Sequence, residues 1–140
     1  MKCVVIDANI PFAALVAWEG MTQELLFSIS LELISPEFMH LELDKYLPVI
    51  AEKSGCPIEE IRVALSLVLS KIRIIPFNEY EKFLPKAKKI SPDPKDVEYV
   101  ALALAYDCPI WSNDQELRKQ QNEVKVIPTS ELIKLFSKSS

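Results

Sequence analysis

The stretch VVIDANIPF, Val4 to Phe12, runs three aliphatic residues into the carboxylate of Asp7. A charge at the end of a buried strand is costly unless something pairs with it. Three further acids stand where a fold can bring them to it: Asp114 just after CPIWS, Asp96 in SPDPKDVEY and Glu42 in SPEFMHLELDKYLPVI. His40 is the only histidine, and the cysteines, Cys3, Cys56 and Cys108, are odd in number and far apart. That pattern argues against a zinc site, a disulfide framework and most histidine-dependent catalysis, and leaves the cysteines as core filling. Carboxylates without nitrogen or sulfur partners suit a hard cation with oxygen ligands, Mg²⁺ or Mn²⁺. Such an ion is the partner Asp7 requires.

Each acid also has a purely structural use. If Asp93 caps a helix that opens with Pro94, Asp96 falls in its first turn, where a carboxylate stabilises the helix dipole by about 0.3–1 kcal/mol. Asn113 can cap DQELRKQ, with Glu116 closing a capping box around Asp114. Glu42 is harder to explain in this way. Met39, Leu43, Tyr46, Leu47 and Ile50 form one helical stripe, and Glu42 borders it.

Short β-branched runs alternate with helical patterns, and these elements must position the acids. KCVVI (Lys2–Ile6), LELIS (Leu31–Ser35), KIRIIPF, CPIWS and KVIP read as strands. Helices are expected over PFAALVAW, with Pro11 at its first position, over TQELLFSI and over PIEEIRVALSLVLS. Another spans SPEFMHLELDKYLPVIAEKSG, from a Ser-Pro start to Gly55, and Pro48 should kink or split it. NEYEKFLPKAKKI reads as a broken, partly basic helix, and TSELIKLFSK as the closing helix. PKDVEYVALALAYD is apolar almost all round, hence buried. Strands separated by helices imply a parallel sheet in an α/β sandwich. Ligands of such sheets bind beyond the carboxyl ends of the strands, where Asp7 and Asp114 stand.

The 140 residues are 49% hydrophobic and 26% charged, which suits one packed domain, set at residues 1–136 with a frayed tail over 137–140. No run of about 18 apolar residues occurs, so no membrane span is expected, and without a signal-peptide pattern the chain reads as cytoplasmic. Two glycines leave no room for a Gly-rich phosphate loop. The net charge of −4 and pI of about 5.1 do not mark a nucleic-acid binder, although acids gathered in one site give the same total.

VVIDANIPF, SPEFMHLEL and DPKDVEYVALALAYDCPIWSND together resemble the PIN-domain family. The last block is the most specific: an acid, an Ala/Leu-rich helix, a short strand ending in Trp-Ser, then Asn-Asp. With the final strand and helix, the likeness covers nearly the whole chain. It implies a three-layer sandwich around a parallel sheet of about five strands. It also implies a Mg²⁺- or Mn²⁺-dependent endoribonuclease, most like the VapC-type toxins of toxin–antitoxin pairs, with RNA as substrate and a small antitoxin protein as partner. The family's acids map onto Asp7, Glu42, Asp96 and Asp114, with Glu37 the alternative register for Glu42. The implied roles are metal ligation by Asp7, Asp96 and Asp114, ligation or water orientation by Glu42, and support from Asn9, Ser112 and Asp93. Stand-alone PIN nucleases of RNA processing, and non-catalytic proteins that retain the fold, remain alternatives.

Phosphate contacts are expected from Lys86, Lys88 and Lys89 in PKAKKI and from Arg118 and Lys119 after the last acid. The N-terminal helices carry more large hydrophobes than one buried face needs, Trp18 and Phe27 among them. Together with the resemblance this implies a homodimer. Other phosphate-transfer classes fit less well: an aspartate-nucleophile phosphatase wants an Asp where Asn9 stands, and a receiver domain wants an acceptor Asp that KIRIIPFNEY lacks.

Overall fold

The computed structural model describes residues 2–119 and 123–137. Its strands are β1 (Cys3–Ile6), β2 (Glu32–Pro36), β3 (Ile72–Ile75), β4 (Ile110–Trp111) and β5 (Val126–Ile127). They form one sheet in the order β3-β2-β1-β4-β5, and every pairing is parallel. Among the described residues eight helices flank it: α1 (Asn9–Val16), α2 (Met21–Ser28), α3 (Glu37–Ser54), α4 (Ile58–Ser70), α5 (Leu84–Ile90), α6 (Val97–Tyr106), α7 (Gln115–Lys119) and α8 (Thr129–Ser137). The result is a three-layer α/β sandwich. The last helix takes in the first residue of the expected frayed tail, and residues 138–140 lie outside the described residues.

Val4, Val5 and Ile6 are completely buried, as strands covered on both faces by helices must be. The five consecutive residues Tyr99–Ala103 of α6 are buried too, because this helix packs on β1, β2 and α5 together. Its alanines allow that close approach.

Local details depart from the sequence expectation, each for an identifiable reason. Helix α1 begins at Asn9, so Pro11 is its third residue. It still lies in the first turn, where its missing N–H leaves no helical bond unmade. Helix α3 runs unbroken through Pro48. Pro48 and Asp44 are both exposed, so the carbonyl that Pro48 leaves without a partner is on the solvent side. The same helix stops at Gly55, whose φ of 73° is the left-handed cap conformation. Ser35 does not cap α3; its hydroxyl donates to the Ile6 carbonyl at 2.9 Å and ties the ends of β1 and β2 together. Strands β4 and β5 keep two residues each, because Pro109 and Pro128 remove ladder donors at their borders.

The topology fixes where a site can form. From β1 the chain builds β2 and β3 on one side, then crosses to build β4 and β5 on the other. The crevice at the carboxyl ends of β1 and β4 lies where the strand order reverses, the usual ligand position in such sheets.

Candidate active site

Asp7 follows β1 directly and Ser112 follows β4, so neighbouring strands deliver them side by side. The Ser112 hydroxyl donates to Asp7 Oδ2 at 2.6 Å, and the Asn9 backbone N–H donates to Asp7 Oδ1 at 3.2 Å. Ser112 Oγ also accepts the Asp114 N–H at 3.1 Å. One hydroxyl thus links the loops after both strands. Asp7 is only 7% exposed. Burial pushes its carboxyl up, the Ser112 and Asn9 bonds pull it back, and Asp114 adds repulsion.

Asp114 caps α7 itself: its Oδ1 accepts the Glu116 and Leu117 N–H groups at 2.9 and 3.3 Å. The expected Asn113 cap is therefore corrected. The helix starts one residue later than that reading needs, which puts Glu116 out of capping-box register, and Glu116 pairs with Lys119 instead. Asn113 Oδ1 accepts the Thr129 N–H at 2.8 Å and binds the loop to α8.

A single 3₁₀ turn, Pro94–Asp96, brings Asp96 to the start of α6. Asp93 opens that turn, its Oδ1 accepting the Lys95 N–H at 2.9 Å. The Asp96 carboxylate is 8% exposed and receives no hydrogen bond from any described residue. Its pKa is pushed up to about 7, first by burial, then by the charges of Asp114, Asp7 and Asp93, with Lys95 opposing them. Glu42 comes from the second turn of α3. Its Oε1 accepts the Tyr99 O–H at 2.7 Å. Burial pushes Glu42 up, the Tyr99 bond pulls it down, and Asp7 repels it. Glu37 is exposed at the first position of α3 and does not line the crevice.

The crevice is a cleft of about 400 Å³ walled at one end by Asp7, Glu42, Asp93, Asp96 and Asp114. Asn9 lines it as well. Phe12, Tyr46, Val49 and Lys53 continue the wall away from the acids. None of Lys86, Lys88, Lys89, Arg118 and Lys119 lines it; Lys86 pairs with Glu123 at 3.0 Å and Lys119 with Glu116 at 3.2 Å. The cations in its walls are Lys53 and Lys95. The sequence held a signal for the first: residues 42, 46, 49 and 53 recur at helical spacing. Tyr99, three after Asp96, has the matching relation on α6.

Among the described residues no three His, Cys, Asp or Glu side chains stand close enough together to form a ready-made metal cage. Each carboxylate but Asp96 is engaged by its own hydrogen bonds. The donor set nevertheless fits a hard divalent cation. It is all oxygen, burial and the charges of neighbouring carboxylates push Asp7 and Asp96 up, and beside them stands a single lysine, Lys95.

A family model for the PIN domain matches residues 5–129. Among solved structures, VapBC2 from Rickettsia felis, crystallised bound to a DNA fragment from their promoter, matches with a TM-score of 0.62 at 15% identity, over 91% of this chain and 98% of that one. PAE2754 from Pyrobaculum aerophilum matches with a TM-score of 0.68 at 13% identity, over 99% of this chain and 90% of that one. At these identities the likeness is one of fold. No curated protein matches the sequence. The family model spans all of the sheet but the first two residues of β1, with every loop that carries an acid of the cleft, and the chain belongs to the PIN-domain family, whose members are generally nucleases.

Proposed function

We propose that the chain is a Mg²⁺- or Mn²⁺-dependent endoribonuclease, the toxin half of a cytoplasmic toxin–antitoxin pair. One observation carries the reading. Asp7, Glu42, Asp96 and Asp114 come from four separate elements, line one cleft, and hold charge that the protein leaves largely uncompensated. A fold does not gather repelling carboxylates for its own stability. Fold relatives that include a VapBC complex support the toxin reading.

When bound, a divalent cation supplies shielding for the charge developing on a scissile phosphodiester and lowers the pKa of water. Asp7, Asp96 and Asp114 hold the cation in this reading, and Glu42 completes the set or orients the attacking water. The Ser112 hydroxyl and the Asn9 N–H fix the rotamer of Asp7, as groups behind metal ligands commonly do. Tyr99 does the same for Glu42. Asp93 orders the turn that presents Asp96.

Labelled RNA incubated with Mn²⁺ should be cut internally, and chelator or Asp96→Asn should abolish the cleavage. Cleavage that continues unchanged in excess chelator removes the mechanism. Expression should arrest growth, and a small protein encoded beside this chain should relieve the arrest. A homodimer belongs to the same reading. Trp18, Met21, Val63 and Leu67 are exposed, and Trp18 meets Phe27 edge to face with ring centres 5.9 Å apart, an apolar surface suited to a second copy.

A further inference from the structure

Beyond its acidic end the cleft has a second half that metal binding does not explain. Its wall is one stripe of α3. Glu42 stands among the acids, and Tyr46, Val49 and Lys53 follow at positions i+4, i+7 and i+11 on the same face. At about 1.5 Å per residue this stripe is about 16 Å long. Opposite it α1 contributes Phe12, whose ring meets Tyr46 edge to face at 6.2 Å and 83°. The Lys53 ammonium sits 5.5 Å from the centre of the Phe12 ring. Tyr46 remains 37% exposed although it belongs to the helix's apolar stripe.

We propose that this half of the cleft is a subsite for an unpaired nucleotide of RNA, its base against Tyr46 and Phe12 and its phosphate against Lys53, flanking the bond presented to the acids. The inference rests on the nuclease reading for its ligand. Aromatic rings beside a cation form a common platform for single strands, because every base has a stacking face. Bases paired in a duplex are stacked on their neighbours and do not offer that face. The order along the stripe is what a polyanion next to carboxylates needs. The cation lies farthest from the acids, and the apolar rings stand between the two charges.

The test measures binding apart from cleavage. Fluorescence anisotropy of a fluorescein-labelled single-stranded RNA is recorded with the full chain in Ca²⁺, which screens the carboxylates, and gels monitor the RNA's integrity. The same sequence as a duplex is compared. The single strand should bind more tightly than the duplex. Tyr46→Ala should weaken single-strand binding at least fivefold, and Tyr46→Phe should restore it. Lys53→Ala should reduce the slope of log affinity against log salt by about 0.7, the share of one phosphate contact on a single strand. Equal affinity for Tyr46→Ala and wild type, a preference for duplex, or no RNA binding at all overturns the subsite. Cleavage by the wild-type chain in Mn²⁺ is scored separately. Cleavage without a Tyr46 effect sinks the subsite alone, whereas Tyr46-dependent binding without cleavage sinks the nuclease reading alone.

Discussion

Replacing Asp96 by asparagine should make the metal-free protein more stable and the metal-loaded protein less stable than wild type. Asp96 suits this test because its carboxylate accepts no hydrogen bond from a described residue, so an amide of the same shape loses no partner. Its folded pKa of about 7 lies well above the ordinary value of about 3.9 in an unfolded chain. Between these values the folded chain binds more protons than the unfolded one, so stability falls as pH rises through the window and stays low above it. A rise of about three units sets a ceiling of about 4 kcal/mol. The carboxylate opens on the cleft and solvent screens part of the repulsion, which brings the expected penalty to about 1–2 kcal/mol. With 140 residues and about 2.1 cal/mol/K of unfolding entropy per residue, that is roughly 3–7 °C in melting temperature.

Melting curves followed by circular dichroism check this directly. In chelator at about pH 8, Asp96→Asn should melt roughly 3–7 °C above wild type. At about pH 5 the gap should narrow, because wild-type Asp96 is then protonated in the folded state while in the unfolded chain it is still mostly ionised, and it should close only toward about pH 4 and below. Wild type in chelator should itself gain stability between these two conditions. In millimolar Mn²⁺ the order should reverse, since a cation bound only by the folded state stabilises wild type by about 2.7 kcal/mol at a hundredfold excess over its dissociation constant. An Asp96→Asn protein that melts several degrees below wild type in chelator refutes the reasoning: Asp96 would then be held by a partner, not repelled by its neighbours.

Four further outcomes are expected. Ser112→Ala removes the 2.6 Å bond to Asp7 and the acceptor for the Asp114 N–H, and should lower stability by about 1–3 kcal/mol in chemical denaturation while reducing RNA cleavage. Tyr99→Phe keeps the ring beside Phe38 but releases Glu42, and cleavage assays should show a loss in kcat larger than any change in KM. Gly55→Ala should destabilise by about 1 kcal/mol from backbone strain alone, because nothing lies within 4 Å of an added Cβ, and Gly55→Asn should lose less. Light scattering at micromolar concentration should give twice the monomer mass of 15.9 kDa, and Trp18→Glu should return it to that mass.

The sheet and its helices were legible because their signals are local. The β-branched run before Asp7 and the unbroken apolar character of α6 each have one packing solution. What sequence pattern missed depended on neighbours it does not contain. Pro48 breaks a helix in isolation, yet it is tolerated where the carbonyl it abandons is on an exposed face. Ser35 before a proline looks like a cap, yet the end of β1 offers its hydroxyl a better acceptor in the Ile6 carbonyl. Asp7 and Asp114 could be named because carboxyl ends of strands in a parallel sheet are ligand positions, and Glu42 and Asp96 because they match the pattern of the family the sequence resembles. Which basic residues face them could not, since that depends on how α3 is rotated against the sheet. Lys53 reaches the cleft only through its helical register with Glu42, Tyr46 and Val49, a weaker signal than a run of lysines, and the conspicuous cluster at Lys86, Lys88 and Lys89 lies outside it.

Asp114 shows why a structural and a chemical use of the same residue are poor rivals. From the sequence, a place in the first turn of a helix capped by Asn113 and a role in binding a cation compete as explanations of Asp114. In the structure the cap occupies Oδ1 alone, and Oδ2 receives no hydrogen bond from a described residue. A carboxylate has lone pairs on both oxygens, so one can anchor the group while the other serves a ligand. The helix start also favours negative charge where the cleft needs it. The cap therefore holds Asp114 in one rotamer against the repulsion of Asp7 and Asp96. Asp7, pinned by Ser112 and Asn9, is held in the same manner. Asp96 is the one acid of the three that no hydrogen bond from a described residue anchors, and that is why its substitution separates the two uses.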